Sequence, residues 1–298
     1  MRIVLFGSRG QLGWELQRAL APLGQLTALS TDSRDWPADF RQPESLAQTV
    51  RGLRPDVVVN AAAYTAVDRA ESEADLAYTI NATAPGVLAR EAAALGATLL
   101  HYSTDYVFDG SGDAPRGEDA PVAPINAYGR SKLAGEEAVR ASGCRHLILR
   151  TSWVFAARGG NFAKTMLRLA AERDSLRVVA DQIGAPTGAE LLADVSAHAL
   201  RTLEREPGLA GTYHVAAAGE TSWHAYACRV IDGAAARGWP LKLASRDIQA
   251  IATRDYPTPA ARPLNSRLDT TRFRRAFGLT LPPWQQGVDR MLAELLDD

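Results

Sequence analysis

A tyrosine and a lysine four residues apart, Tyr128 and Lys132, are the side chains best suited to move a proton. They lie in Asn126-Ala-Tyr128-Gly-Arg-Ser-Lys132, at the head of a run with helical periodicity, so both project from one helical face. An ammonium beside a phenol favours the phenolate, and the pairing predicts a Tyr128 pKa below the ordinary value of about 10. Just upstream, Thr104 closes the apolar run Thr98-Leu-Leu-His-Tyr-Ser-Thr104 and is followed by Asp105. A residue at the carboxyl end of a buried strand stands where open α/β sheets bind ligands. Tyr-x-x-x-Lys also arises by chance on solvated helix faces, so its meaning depends on the elements that hold it.

Those elements begin at the amino terminus. The apolar run Ile3 to Phe6 leads into Gly7-Ser-Arg-Gly10-Gln-Leu-Gly13 and then into the helical pattern Trp14 to Leu20. Strand, glycine turn and helix in this order make a dinucleotide site. Glycine lets the backbone approach a pyrophosphate, and the free amides of the helix start receive its charge. Gln25 to Ser30 reads as the second strand. An acidic residue commonly ends that strand and holds the adenosine ribose. Here the position is Ser30, with Arg9 and Arg34 in loops able to reach a 2′-phosphate. A third strand is nearly invisible in the polar stretch Thr31 to Phe40, which contains Pro37. Pro43 to Leu53 reads as a helix, Asp56 to Ala62 as a buried strand, and Val67 to Leu95 as a helix that Pro85 breaks or kinks.

Residues 109–124, rich in Gly, Pro and acidic side chains, read as a loop beside the site and a candidate mobile flap. Strands are expected at His146 to Phe155, Leu176 to Ala180 and Thr212 to Ala216. Helices are expected at Asn161 to Glu172 and Glu190 to Leu203, with a turn at Gly184 to Gly188 and short helices between Pro-rich loops thereafter. The pattern is α/β: a Rossmann-like, doubly wound parallel sheet with a smaller, mostly helical substrate-binding lobe. Residues 1–155, with 189–217 returning, are expected to form the dinucleotide-binding domain, and 156–188 with 218–298 the lobe.

At 298 residues the chain is near the upper limit of one hydrophobic core. Its net charge of −1 provides no broad attraction to nucleic acid or to an anionic membrane. No apolar run is long enough to span a bilayer, and the first residues enter a strand without a signal-peptide layout. Cys144 and Cys228 have neither metal-site nor disulfide spacing, which fits a reducing compartment. The expectation is a cytoplasmic protein with a small-molecule partner and neither a nucleic-acid nor a membrane partner.

The glycine turn, Asn60-Ala-Ala, the strand ending at Thr104 and Tyr128-x-x-x-Lys132 together resemble the extended short-chain dehydrogenase/reductase family. Four motifs narrow this to its dTDP-4-dehydrorhamnose reductase branch, and the likeness runs nearly the whole length. They are Ser103-Thr-Asp-Tyr-Val-Phe-Asp-Gly110, Asn126 to Lys132, Arg150-Thr-Ser-Trp153 and Asp181-Gln-x-Gly-Ala-Pro-Thr187. The resemblance implies reduction, with NADPH or NADH, of the C4 keto group of dTDP-4-dehydro-6-deoxy-L-mannose. It makes Tyr128 the proton donor, Lys132 the group that tunes it and holds the nicotinamide ribose, and Thr104 a hydrogen-bond donor to the keto oxygen. It assigns Gly7, Gly10, Gln11 and Leu12 to the pyrophosphate, Ser30 to the adenosine ribose, Asp39 and Phe40 to adenine, and Ala63, Tyr64 and Thr65 to the nicotinamide side. Asp105 and Trp153 would touch the sugar. The resemblance also implies a homodimer with magnesium held at its interface by glutamates, for which Glu15, Glu190 and Glu294 are the matching positions.

Two other readings share this scaffold. A dehydratase of the family needs an Asp-Glu pair after the threonine, whereas Asp105 is followed here by Tyr106, which cannot take a carbon-bound proton at neutral pH; epimerisation is less cleanly set aside. The chain also resembles the non-catalytic regulatory subunit of methionine adenosyltransferase, which can keep the glycine turn and the Tyr-Lys pair.

Overall fold

In the computed structural model, which describes residues 1–296, β1 (Arg2–Phe6) buries every residue after its first. It is followed by α1 (Gln11–Leu20), β2 (Gln25–Leu29), α2 (Pro43–Leu53) and the fully buried β3 (Val57–Asn60). A helix then runs from α3 (Ala74–Tyr78) through a π-helical turn, Thr79–Thr83, into α4 (Ala84–Leu95). Next come β4 (Thr98–Thr104), α5 (Ala127–Ala141) and β5 (Arg145–Thr151). The later elements are β6 (Val154–Phe155), α6 (Phe162–Glu172), β7 (Leu176–Val179), β8 (Ile183–Gly184) and β9 (Thr187–Gly188). They continue with α7 (Ala189–Arg205), β10 (Gly211–His214), β11 (Thr221–Ser222), α8 (Trp223–Ala236), β12 (Ile248–Ile251), α9 (Thr271–Phe277) and α10 (Trp284–Leu296).

The main sheet is six-stranded and parallel, in the order β10-β5-β4-β3-β1-β2. Period-two alternation sends its side chains to two cores. Ile3, Leu5, Val57 and Val59 pack with Leu16, Leu192 and Phe273, while Val4, Phe6 and Val58 pack with Leu46, Leu88 and Val139. The strand order reverses at β1, so the crevice between the carboxyl ends of β1 and β3 is the ligand position of this sheet class. A third core joins Met166, Val178, Tyr226, Val230 and Leu292 in a lobe of α6, α8 and α10, with β7 and β12 paired parallel beside them. Phe273, Phe277 and Leu281, late in the chain, pack on the sheet against α7 and Tyr213 instead. No helix among the described residues is long and apolar enough to cross a membrane.

Several expectations change. Thr31 to Phe40 forms no strand, and β3 takes the place beside β1. The stretch instead drives Phe40 into the core, edge-on to Phe6 at 5.8 Å. The long helix is interrupted near Ser72 rather than at Pro85. Pro85, in the first turn of α4, lacks the amide that would bond to the Asn81 carbonyl, and the π-turn absorbs that loss. A Cβ on Gly135 would come 2.0 Å from that carbonyl oxygen, so glycine there lets α5 lie directly on the turn. The strand beginning near His146 stops at Thr151, and Trp153 turns the chain with φ of 50°. Residues 109–124 are a loop, but one tied down rather than a free flap. Arg116 exchanges backbone hydrogen bonds with Arg267 and Asp269 (3.0 and 2.8 Å), Asn265 Nδ2 donates to the Ala114 carbonyl, and Glu118 accepts from the His214 amide.

Candidate active site

Asn126 starts α5, accepting from the Gly129 amide at 2.7 Å through Oδ1 and donating to the Ala261 carbonyl at 2.8 Å through Nδ2. One cap therefore fixes both the helix that carries Tyr128 and Lys132 and the segment that crosses it. Lys132 is 2% exposed and donates from Nζ to the Tyr102 carbonyl of β4 at 2.6 Å. Burial brings its pKa down to about 8, against the opposing charge of Glu136. Tyr128 differs from expectation: burial pushes its pKa up to about 12, and the Thr104 hydroxyl only partly opposes this. The lysine does not depress the phenol because its ammonium is aimed at Tyr102 and is itself destabilised by burial. Tyr128 is thus held protonated through the neutral range, the form a proton donor requires.

Thr104 lies at the carboxyl end of β4, as read from the sequence, and its hydroxyl donates to Asp105 Oδ1 at 3.0 Å. Asp105 is 3% exposed, its Oδ2 has no hydrogen-bond partner among the described residues, and burial raises its pKa to about 7 against the neighbouring Ser266 and Thr104 hydroxyls. An orphaned buried oxygen beside the proton donor suits a ligand hydroxyl. Tyr106 meets Tyr128 edge-on at 5.7 Å and lines a cavity of about 720 Å³ with Asp68, Phe162, Arg173, Trp223 and Arg262. Trp153 stacks on Trp223 at 3.7 Å, and a Cβ on Gly184 would lie 2.8 Å from the Trp153 ring.

The glycine turn forms the second half of the site. Gly7 has φ of 86°, and a Cβ there would sit 2.7 Å from the Ala62 amide nitrogen. A Cβ on Gly13 would fall 2.0 Å from the Gly7 carbonyl oxygen. Gly10 precedes α1 with no side-chain cap, leaving the amides of Gln11 and Leu12 at an open helix start. Gln11 Oε1 also accepts from Asn161 Nδ2 of the lobe at 2.9 Å. This cradle fits a dinucleotide pyrophosphate. Beside it a cleft of about 320 Å³ is lined by Gly7, Thr31, Asp39, Phe40, Arg41 and Ala63. Ser30 sits in a turn with Ser33, and Asp39 is paired with Arg41 at 2.8 Å. Tyr64 packs with Tyr128 on one small cluster and donates to Glu73 at 2.5 Å, while Thr65 is exposed.

Glu15, Glu190 and Glu294 share a cleft of about 360 Å³ with Trp14, Arg18 and Arg290. Burial raises the Glu190 pKa, Arg290 opposes, and Glu15 and Glu294 add to the rise. The carboxylates do not converge tightly: among the described residues no three His, Cys, Asp or Glu side chains form a metal-sized group.

Sequence reasoning overlooked Trp223, Arg262, Asp68 and Asn81. Asn81, fully buried in the π-turn, bonds both main-chain groups of Tyr64 and donates to Ser131 Oγ. Arg262 pairs with Asp68 at 2.8 Å across 194 residues, a contact no local pattern signals. Only Pro85, four residues on, hinted at an irregular turn around Asn81.

Activity should fall above about pH 8 as Lys132 loses its charge, and ligand binding beside Tyr128 should inflect near pH 7 with Asp105. A pH–rate profile of the wild type and of Asp105→Asn checks both. An inflection surviving in Asp105→Asn removes the second assignment, and an alkaline limb only near the ordinary lysine value removes the first.

The family model described as the RmlD substrate binding domain matches residues 1–296. The dTDP-4-dehydrorhamnose reductase of Escherichia coli (strain K12) is 56% identical over 295 residues, covering 99% of this chain and 98% of that protein. A dTDP-4-dehydrorhamnose reductase from Clostridium acetobutylicum superposes with a TM-score of 0.88 at 33% identity, covering 99% of both chains. One from Bacillus anthracis, solved in complex with NADP, has a TM-score of 0.86 at 36% identity, covering 98% of this chain and 99% of that one.

Proposed function

This chain belongs to the RmlD substrate binding domain family, that of the dTDP-4-dehydrorhamnose reductases, and from that premise we propose an NAD(P)H-dependent reductase of a sugar ketone. Its reaction is reduction of the C4 keto group of dTDP-4-dehydro-6-deoxy-L-mannose to dTDP-L-rhamnose. One observation carries the reading. The protonated Tyr128 ring meets Tyr106 of the large cavity edge-on, and Tyr128 packs on the same small cluster as Tyr64, the chain neighbour of Ala63 in the glycine-lined cleft.

The nicotinamide, when bound, supplies the hydride. Tyr128 gives its proton to the keto oxygen as that atom gains charge, and the Thr104 hydroxyl turns from Asp105 Oδ1 to donate a hydrogen bond to the same oxygen. Lys132 holds the nicotinamide ribose from its place beside the Tyr102 carbonyl. Gly7, Gly10, Gln11 and Leu12 receive the pyrophosphate, Ser30 the ribose of adenosine, Asp39 and Phe40 the adenine, and Ala63, Tyr64 and Thr65 the nicotinamide side. Asp105 and Trp153 meet the sugar. Residues 1–155 and 189–217 serve dinucleotide binding and 156–188 with 218–298 substrate binding, 297 and 298 lying outside the described residues; the packing of α9 on the sheet ties the second set to the first. In place of the glutamate that elimination of water would use directly after Asp105 stands Tyr106, whose phenol burial, then Asp105, push further above its ordinary pKa, so it is no base.

Incubating the purified chain with the keto sugar nucleotide and NADPH, and identifying the product, tests the reading. Binding of NADPH without turnover of the sugar would sink it and favour a regulatory subunit.

We also infer a cytoplasmic homodimer. Charged dinucleotides and dTDP-sugars do not cross a bilayer unaided, which favours the compartment. For the dimer, the cleft of Glu15, Glu190 and Glu294 would form part of the interface, with magnesium relieving the mutual repulsion of its carboxylates. Sedimentation with and without chelator checks it. The expected result is a dimer that weakens on chelation; a monomer in both conditions removes the interface, and a dimer indifferent to chelator removes the metal.

A further inference from the structure

We propose that Gln182 is a positioning residue for the sugar ketone: it fixes the Trp223 indole, and through it the stacked Trp223–Trp153 pair against which the sugar is aligned. The inference rests on the reductase reading in taking the keto sugar as the occupant of the large cavity.

Gln182 lies between β7 and β8, is 7% exposed and lines the cavity together with Trp223. Its amide is held at both ends. Nε2 donates to Thr253 Oγ1 and Oε1 accepts from Trp223 Nε1, each at 3.1 Å. The pairing of β7 with β12 brings Asp181 and Thr253, just past the two strand ends, into contact. There the Thr253 hydroxyl donates to Asp181 Oδ1 at 2.6 Å, and its amide bonds to the same carboxylate. The Thr253 oxygen is thus left to accept, while an indole N–H can only donate. The Gln182 amide can satisfy both neighbours in one orientation alone, with its carbonyl on the indole.

The indole so held is in turn the bed of Trp153. The two rings stack at 3.7 Å with their planes 15° apart, and Phe162 meets Trp223 at 4.6 Å. Trp153 needs that support, because its φ of 50° is a left-handed conformation that a bulky residue adopts only when its surroundings hold it there. From Trp153 the contacts run to the proton-donor end of the site. A Cβ on Gly184 would lie 2.8 Å from the Trp153 ring and 3.1 Å from Ser266 Cβ, and the Ser266 hydroxyl bonds to Asp105, the carboxylate that Thr104 also holds. A tilt of Trp223 therefore displaces the ring nearest Asp105. An indole face offers the sugar an apolar wall for its C–H side, while the N–H edge stays with Gln182.

Steady-state kinetics with the keto sugar nucleotide and NADPH test this, read beside NADPH titration and far-ultraviolet circular dichroism of the purified chain. Two stacked indoles couple as excitons and give a positive and a negative band, which Trp223→Phe abolishes and so calibrates. Gln182→Leu should lower kcat/KM for the sugar by at least about tenfold, leave the NADPH Kd within about threefold, and shrink the exciton bands. Trp223→Phe should lower kcat/KM similarly, and the double variant should fall no further than the worse single one, since the two residues act as a unit. A kcat/KM for Gln182→Leu within about threefold of wild type overturns the proposal, because a merely structural glutamine shows itself in the melting temperature alone. A fall with the exciton bands intact also overturns it, because Gln182 would then touch the sugar itself. So does a double variant that loses the product of the two single losses. Should Gln182→Leu not fold, Trp223→Phe decides, and an unchanged kcat/KM there overturns the proposal. A wild type that binds NADPH but reduces no keto sugar removes the reductase reading and the inference with it. Wild-type turnover that the variants share removes the inference alone.

Discussion

Tyr128→Phe lowers turnover of the sugar ketone by at least about a hundredfold, the low end for losing a positioned acid. Fold and cofactor affinity stay close to wild type, because the change deletes one oxygen from a helix whose cap, Asn126, and whose neighbour, Tyr106, remain in place. The size of the effect follows from the protonation state. Burial holds the phenol protonated far above neutral pH, so the wild type carries a full complement of acid at every working pH and the variant carries none. Thr104→Val costs less, since it removes a hydrogen bond but leaves the proton source. Lys132→Ala weakens cofactor binding as well as turnover. Single-turnover measurement with NADPH reads the chemical step directly. Retention of more than about a third of wild-type rate in Tyr128→Phe, against the hundredfold expectation, shows that Tyr128 is not the acid.

Arg150→Met is expected to destabilise the fold by about 3–5 kcal/mol, the usual consequence of stranding one member of a buried ion pair. Arg150 on β5 holds Glu136 of α5 through Nε and Nη2 at 2.8 and 2.7 Å, with the two side chains 4% and 0% exposed. Glu136 is four residues beyond Lys132, so the pair anchors to the sheet the helix that carries the catalytic face. In the variant Glu136 keeps Arg140, at 3.0 Å but more than a third exposed. The folded-state pKa of Glu136 lies below its ordinary value despite burial, because of the Arg150 contacts. Its contribution is therefore complete above the unfolded carboxylate pKa of about 4.3 and fades as pH falls through the folded one. Denaturant melts at neutral pH measure the loss. The double variant Arg150→Met/Glu136→Leu should recover much of it, since two apolar side chains leave no buried charge. A loss below about 1 kcal/mol in Arg150→Met would mean that the pair is not what holds α5.

The sequence alone determined the parts whose physics is local. The glycine turn is legible because residues 7 and 13 tolerate no Cβ, which only glycine satisfies. The common face of Tyr128 and Lys132 follows from helical period, and the place of Thr104 from the length of its apolar run. Tertiary structure decided what depends on burial and on partners remote in sequence. Whether Lys132 acidifies Tyr128 turns on where its ammonium points, and it points at Tyr102, so desolvation wins and the phenol moves up instead of down. Asp68 finds Arg262, and β7 finds β12, across stretches that no periodicity spans. Asp32 was unremarkable in a polar loop until the join between the glycine turn and β2 set it against Arg9. A sequence records the charge of each side chain but not its distance from the next, and electrostatic effects depend on that distance and on how much water remains between.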